Sequence, residues 1–83
     1  MDNQTILDNL KSYFNTEIHY CGEIRNQSRE WVINYFNYAI QRCEGAALLV
    51  RKLGLSDTEV NSLYVEYRDR LKNMKENWIR NNS

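Results

Sequence analysis

One candidate set for binding a metal ion or supplying a nucleophile consists of four side chains: Glu17, His19, Cys21 and Cys43. Zinc sites that are recognisable in a sequence usually show paired ligands such as C-x-x-C, and no such pair occurs here. A cysteine nucleophile needs a base beside it, but His19 and Cys21 are two residues apart and do not share a helix face. We therefore expect no metal site, no cofactor and no catalytic residue, and a protein that is not an enzyme.

The chain is short and electrically neutral, with 83 residues of which eleven are basic and eleven acidic. It lacks the net positive field that draws a protein to nucleic acid. It has no secretory signal pattern and no apolar run long enough to cross a bilayer, so we expect a cytoplasmic protein. In that compartment Cys21 and Cys43 are expected to be reduced, although a disulfide between them stays an alternative.

Helical spacing dominates the first two thirds of the chain. Helix 1, predicted over about 3–20, starts with Asp2 or Asn3 as a possible cap and carries one apolar stripe. Helix 2, predicted over about 23–53, has a heptad seam and a second stripe beside it. The seam consists of Val32, Phe36, Ala39, Cys43, Ala46, Val50 and Leu53, and the second stripe of Ile24, Trp31, Tyr35 and Tyr38.

Helix 3 is predicted over about 57–80. Its apolar residues have the same 4-3 spacing: Val60, Tyr64, Tyr67, Leu71, Met74 and Trp78. Matching periods in two consecutive helices indicate an antiparallel hairpin with coiled-coil-like packing. The predicted fold is therefore all-α, a single domain over residues 1–83 with a shorter N-terminal helix and a long antiparallel hairpin of helices 2 and 3.

The corner between helices 2 and 3 carries several local signals. Gly54 can adopt the left-handed conformation that ends a helix. Ser56 and Glu59 have the spacing of a capping box, and Leu55 and Val60 that of a hydrophobic staple. These signals agree on a tight turn at this position.

The same corner has features of a known DNA-binding motif. Gly54 occupies the place of a turn glycine, and apolar residues stand where two helices would pack: Leu49, Leu53, Leu55, Val60 and Leu63. Over Ala46–Val65 the chain thus resembles the helix-turn-helix family. The resemblance implies a DNA-binding transcriptional regulator that presents to the major groove Ser56, Thr58, Asn61 and Ser62.

Three features of the chain count against that motif. The heptad of helix 3 continues to Trp78, so this helix is far longer than a reading helix needs to be. Val50 replaces the small residue usual four positions before the turn glycine. The would-be reading helix has no basic residue before Arg68, although phosphate contacts supply much of the affinity for DNA. We therefore favour a capped hairpin corner and keep DNA binding as the alternative.

A second comparison concerns the residues after the turn. In size, and in the turn GLSDTEV, the chain resembles the short aspartyl-phosphate phosphatases of sporulation control. Their Ser-Gln-Glu-Leu-Asp run is replaced here by the segment Ser62–Glu66, which reads SLYVE. Because the glutamine and the aspartate are missing, the phosphatase activity is not carried over.

Ten aromatic residues are more than three helices of this length are expected to bury. Trp31, Tyr35 and Tyr38 either pack on helix 1 or form a binding surface, with Arg25 and Arg29 as its polar rim. We predict a small non-enzymatic regulator, adaptor or inhibitor that binds a larger protein through this helical face and forms a homodimer. Small neutral helical proteins of this kind are common among bacterial and phage regulators.

Overall fold

The protein consists of three α-helices. The structure is a computed structural model that describes residues 2–55 and 57–82. The helices are α1 (Asn3–Gly22), α2 (Arg29–Lys52) and α3 (Asp57–Asn81), and no strand occurs in the described ranges. The predicted all-α fold with a shorter first helix is confirmed.

The helices form an elongated bundle that measures 44 × 18 × 15 Å. The most extensive packing is between α2 and α3, as the predicted hairpin requires. The other helix, α1, fills the groove between them and runs in the same direction as α3. The Tyr67 hydroxyl, for example, donates a hydrogen bond to the Asn15 carboxamide oxygen.

The core follows the predicted stripes of α1 and α3 and the first part of the α2 seam. Its largest fully buried side chains are Phe14, Val32, Phe36, Cys43, Val60 and Leu71. Beyond Cys43 the buried position moves to Ala47, and Leu53 is 62% exposed instead of buried. A straight α-helix has 3.6 residues per turn, so a strict heptad drifts around its surface by about 20° per repeat. The predicted seam is therefore wrong at Leu53, which caps the end of α2.

The start of α2 differs from the prediction by six residues. Residues 23–28 connect α1 to α2. The second helix begins only after Ser28, whose hydroxyl caps it by accepting a hydrogen bond from the Trp31 N–H at 3.1 Å. Asn26 takes a positive φ of 56°, a left-handed conformation that breaks a helix and that asparagine tolerates. Ile24 is buried in this connection and does not belong to a stripe of α2.

The ends of α1 and α2 agree with two cap predictions. Asp2 caps α1, since its carboxylate accepts from the Thr5 N–H at 2.7 Å. Gly54 has a φ of +93°, the left-handed conformation predicted for it. Leu55 and Val60 are both buried in the core, as a hydrophobic staple requires. The predicted capping box involves Ser56, which lies outside the described residues.

Candidate interaction face

Exposed large hydrophobic side chains are concentrated along the side of the bundle formed by α1 and α2. Seven such side chains are exposed within the described ranges. Leu48 alone points elsewhere by its helical position, and the other six we call the aromatic face: Tyr13, Tyr20, Trp31, Tyr38, Leu49 and Leu53. Their exposed fractions run from 40% for Tyr13 to 63% for Leu49. Large hydrophobic side chains gathered on one side of a domain indicate an interaction site more strongly than single scattered ones do.

The three predicted contact aromatics lie together on this face. Trp31 and Tyr35 stack with ring centroids 5.0 Å apart and an interplanar angle of 18°. Tyr35 is partly buried against the core, and Tyr38 is 58% exposed. The alternative in which all three residues pack on α1 as core residues thus applies only to the buried part of Tyr35. Trp31 and Tyr38 leave much of their surface exposed.

A charged pair joins α1 to α2 beside the aromatic face. The Arg42 guanidinium donates two hydrogen bonds of 2.8 Å each to the two carboxylate oxygens of Glu17. Glu17 is the only charged side chain in the described ranges that is buried. The hydrogen bonds to Glu17 favour the charged form of Arg42 and raise the pKa of its guanidinium group. This bidentate geometry fixes α1 against α2 close to the Tyr35 ring.

Arg42 also connects this pair to the aromatic side chains. Its guanidinium carbon lies 5.9 Å from the centre of the Tyr35 ring, within the range of a cation–π contact. Burial raises the pKa of the Tyr13 hydroxyl, and the nearby Glu17 carboxylate raises it further. The rings of Tyr13 and Tyr35 thus remain neutral around a locally neutralised ion pair.

The two arginines predicted to form the rim occupy different places. Arg25 donates hydrogen bonds to the carbonyl oxygens of Gly22, at 3.0 Å, and Ile24, at 2.8 Å. It also borders the hollow between Tyr20 and Trp31, so it lies beside the aromatic face. Arg29 does not border that hollow; together with Arg25 it lines another one, near the end of α3. The structure therefore brings Arg25, but not Arg29, to the predicted surface.

Both cysteines are free thiols in the core. Burial raises the pKa of the Cys21 thiol to about 11 and that of Cys43 to about 12. A thiol attacks as its thiolate, so these two groups are poor nucleophiles near neutral pH. His19 lies apart from them on the surface, 3.9 Å from the carboxylate of Glu23. Among the described residues, no three His, Cys, Asp or Glu side chains gather into a possible metal site.

The corner at Gly54 has its own polar contacts. Arg51 on α2 donates a hydrogen bond of 3.2 Å to the Asn61 carboxamide oxygen and lies 3.9 Å from the Asp57 carboxylate. Leu49 and Leu53, which a helix-turn-helix would bury between its helices, are exposed. The apolar side chains at these two positions therefore extend the aromatic face.

Several residues of the site were not predicted from the sequence. The heptad pattern places Leu53 in the core seam, and no sequence pattern predicts that Glu17 and Arg42 form an ion pair. The signal for the ion pair was present, because Glu17 continues the 4-3 spacing of Leu10 and Phe14, and a carboxylate in an apolar stripe needs a partner.

No described helix has both the length and the apolar character needed to cross a membrane. Comparison of the chain with protein-family models, curated proteins and solved structures finds no match. A functional proposal therefore depends on the geometry of the aromatic face.

Proposed function

We propose that this protein is a small non-enzymatic regulator, adaptor or inhibitor that binds a larger protein through the aromatic face. The observation that carries the proposal is the collection of six of the seven exposed large hydrophobic side chains on one side of the bundle. Tyrosine and tryptophan are enriched in protein interfaces, since their rings combine apolar area with a polar group. Tyr13, Tyr20, Trp31 and Tyr38 make up most of this surface.

The arrangement on α2 favours a groove in the partner. Trp31, Tyr35 and Tyr38 have the i, i+4, i+7 spacing by which an amphipathic helix anchors in a hydrophobic groove. The stacking of Trp31 on Tyr35 holds both rings before binding, so little side-chain entropy is lost when the partner docks. The expected partner therefore offers an apolar groove about two helical turns long.

Site-specific photo-crosslinking in the native cells tests this proposal. A benzophenone amino acid replaces Tyr38 in one variant and Asn73, which is exposed on α3, in a matched control. We expect discrete protein adducts from position 38 that are absent from position 73. Identical adducts from both positions, or none from position 38, would contradict the proposal.

A pair of alanine variants separates binding from folding. Tyr38→Ala removes mostly exposed surface, so we expect weaker binding with unchanged helicity by circular dichroism. Tyr35→Ala also removes partly buried surface, and we expect it to lower the free energy of unfolding by about 1–2 kcal/mol. Equal loss of stability in the two variants would identify both rings as core residues.

The alternative function is a DNA-binding regulator that uses the turn at Gly54. It requires the exposed side chains of Asn61 and Ser62 to contact bases, although Asn61 is engaged by Arg51 and Asp57 lies nearby. Duplex binding that falls steeply with salt and is lost in Asn61→Ala would favour this alternative. Failure to bind duplex DNA at low salt would dismiss it.

A further inference from the structure

One stripe of α2, in which Tyr35 and Ala46 are partly buried and the other members are exposed, has a symmetric spacing. Its positions are Trp31, Tyr35, Tyr38, Arg42, Ala46, Leu49 and Leu53. The intervals are 4, 3, 4, 4, 3 and 4, which read the same in both directions from Arg42. Their mean is close to the 3.67 residues per turn of an 11-residue repeat, so the stripe runs almost straight along the helix. Such a stripe presents the same sequence of positions to an antiparallel copy of itself.

We infer that two copies of the chain pair through their α2 helices, antiparallel and around a two-fold axis beside Arg42. The inference rests on the proposed function and names a second copy as the occupant of the face when no larger protein is bound. The pairing is isologous, in that each copy contributes the same surface. Trp31 then lies opposite the partner's Leu53, Tyr35 opposite the partner's Leu49, and Tyr38 opposite the partner's Ala46.

The residue sizes suit this register. Aromatic rings occupy the first half of the stripe, and smaller aliphatic side chains occupy the second half. In the antiparallel register every aromatic ring meets an aliphatic side chain, the alternation of large and small that gives close packing. A parallel register would instead place Trp31 against the partner's Trp31 and leave a gap at the other end of the helix.

The charge at the axis is also compatible with pairing. Two arginines approach each other at the centre, but each is already paired with Glu17 of its own copy through two hydrogen bonds. The unit that meets its copy is therefore a neutralised pair and not a bare cation. The Arg42 side chain remains 42% exposed and available for a contact with the partner.

The available area meets the requirement for a specific dimer. Five large side chains of the α2 stripe, each about half exposed, supply on the order of 500 Å² per copy if a fully exposed side chain of this size offers roughly 200 Å²; they are Trp31, Tyr38, Arg42, Leu49 and Leu53. Two copies together would bury about 1,000 Å², the lower bound for a specific interface. A dimer of modest affinity is expected from this area.

A matched pair of leucine variants tests which side of α2 makes the contact. Leu48 and Leu49 are adjacent and exposed by 47% and 63%, but only Leu49 belongs to the stripe. At about 100 µM, well above a micromolar Kd, we expect a wild-type dimer by light scattering. Leu49→Asp is expected to be monomeric and Leu48→Asp dimeric, both with wild-type helicity. A monomeric wild-type protein, or equal behaviour of the two variants, would overturn the inference.

The direction of pairing is tested by cross-linking through introduced cysteines. Positions 34 and 52 are exposed beside the stripe, and the native thiols are buried. At 1.5 Å per residue, the antiparallel register separates the two copies of position 34 by about 24 Å along the helix axis. Position 34 of one copy and position 52 of the other are offset by only about 3 Å along that axis. A mixture of Asn34→Cys and Lys52→Cys proteins should therefore give only mixed adducts with a short bis-maleimide. Adducts between two copies of the same variant would overturn the antiparallel arrangement.

The outcomes for the two proposals can be distinguished. A purified monomer that still forms adducts with another protein through position 38 in cells would overturn self-pairing and leave the proposed function standing. A dimer with mixed adducts, combined with cellular adducts of twice the chain's own mass and no other, would support self-pairing and contradict a larger partner.

Discussion

Replacing Arg42 by methionine should destabilise the protein severely, because it leaves the Glu17 carboxylate buried without a donor. The substitution removes both 2.8 Å hydrogen bonds and keeps a side chain of comparable length. Removing one partner of a buried ion pair costs about 3–5 kcal/mol. Arg42 is 42% exposed and water reaches the pair from its side, so we expect a smaller loss of about 2–3 kcal/mol.

This loss is large for a chain of 83 residues. At about 0.05–0.15 kcal/mol per residue, its total stability is on the order of 4–12 kcal/mol. Each kcal/mol shifts the Tm of a domain of this size by about 4–8 °C, so Arg42→Met should melt roughly 10–20 °C below the wild type. Urea unfolding followed by circular dichroism measures the free energy directly, and repeating it at two protein concentrations separates self-association from folding.

The double variant Glu17→Leu/Arg42→Met is the decisive control. It removes the stranded carboxylate as well as its partner, and buried pairs replaced by apolar side chains are often as stable as the original. We expect it to recover to within about 1 kcal/mol of the wild type, which gives a clear coupling energy in the double-mutant cycle. If Arg42→Met lost less than about 1 kcal/mol, or if the double variant were as unstable as the single one, the unpaired carboxylate would not be the cause.

Four further predictions concern the turns and the thiols. Gly54→Ala should lower the unfolding free energy by about 1 kcal/mol, because the residue has a φ of +93°. Gly22→Ala, at the helical end of α1, should be neutral or stabilising, and thermal melts of the two variants compare them. Asn26→Gly should keep or raise the Tm, and Asn26→Val should lower it, because a β-branched residue is strained at a φ of 56°; equal melting temperatures would contradict the left-handed connection. Iodoacetamide at pH 8 should modify Cys21 and Cys43 far more slowly in the native protein than in urea, since burial raises their pKa to about 11 and 12. The raised thiol pKa values also predict that stability falls as pH rises above about 8.5, where an unfolded chain begins to release those protons; fast native alkylation or a flat profile to pH 11 would refute this.

The sequence predicted the helices and the tight corner well because both depend on local patterns. The 4-3 spacing of α3 continues to Trp78, and Gly54 is a local requirement of the backbone. The late start of α2 was missed because Ile24 continues an apolar pattern through the connection. The polar residues Asn26 and Ser28, a left-handed residue and a helix cap, were the local signal against it.

The site was predicted only in part for a different reason. Trp31, Tyr35 and Tyr38 share one helix, and their spacing alone places them together. Glu17 and Arg42 are 25 residues apart, so their pairing depends on how α1 docks on α2, which no local pattern determines. The extension of the face to Leu53 was missed because a strict heptad assigned that residue to the core.

The proportions of the bundle affect how its copies can be counted. A body 44 Å long and 18 Å wide has more friction with solvent than a sphere of the same mass. On a size-exclusion column a single 10.0 kDa chain will therefore elute ahead of compact standards of its weight. An early peak would suggest two copies where there is one, whereas sedimentation equilibrium reports mass independently of shape.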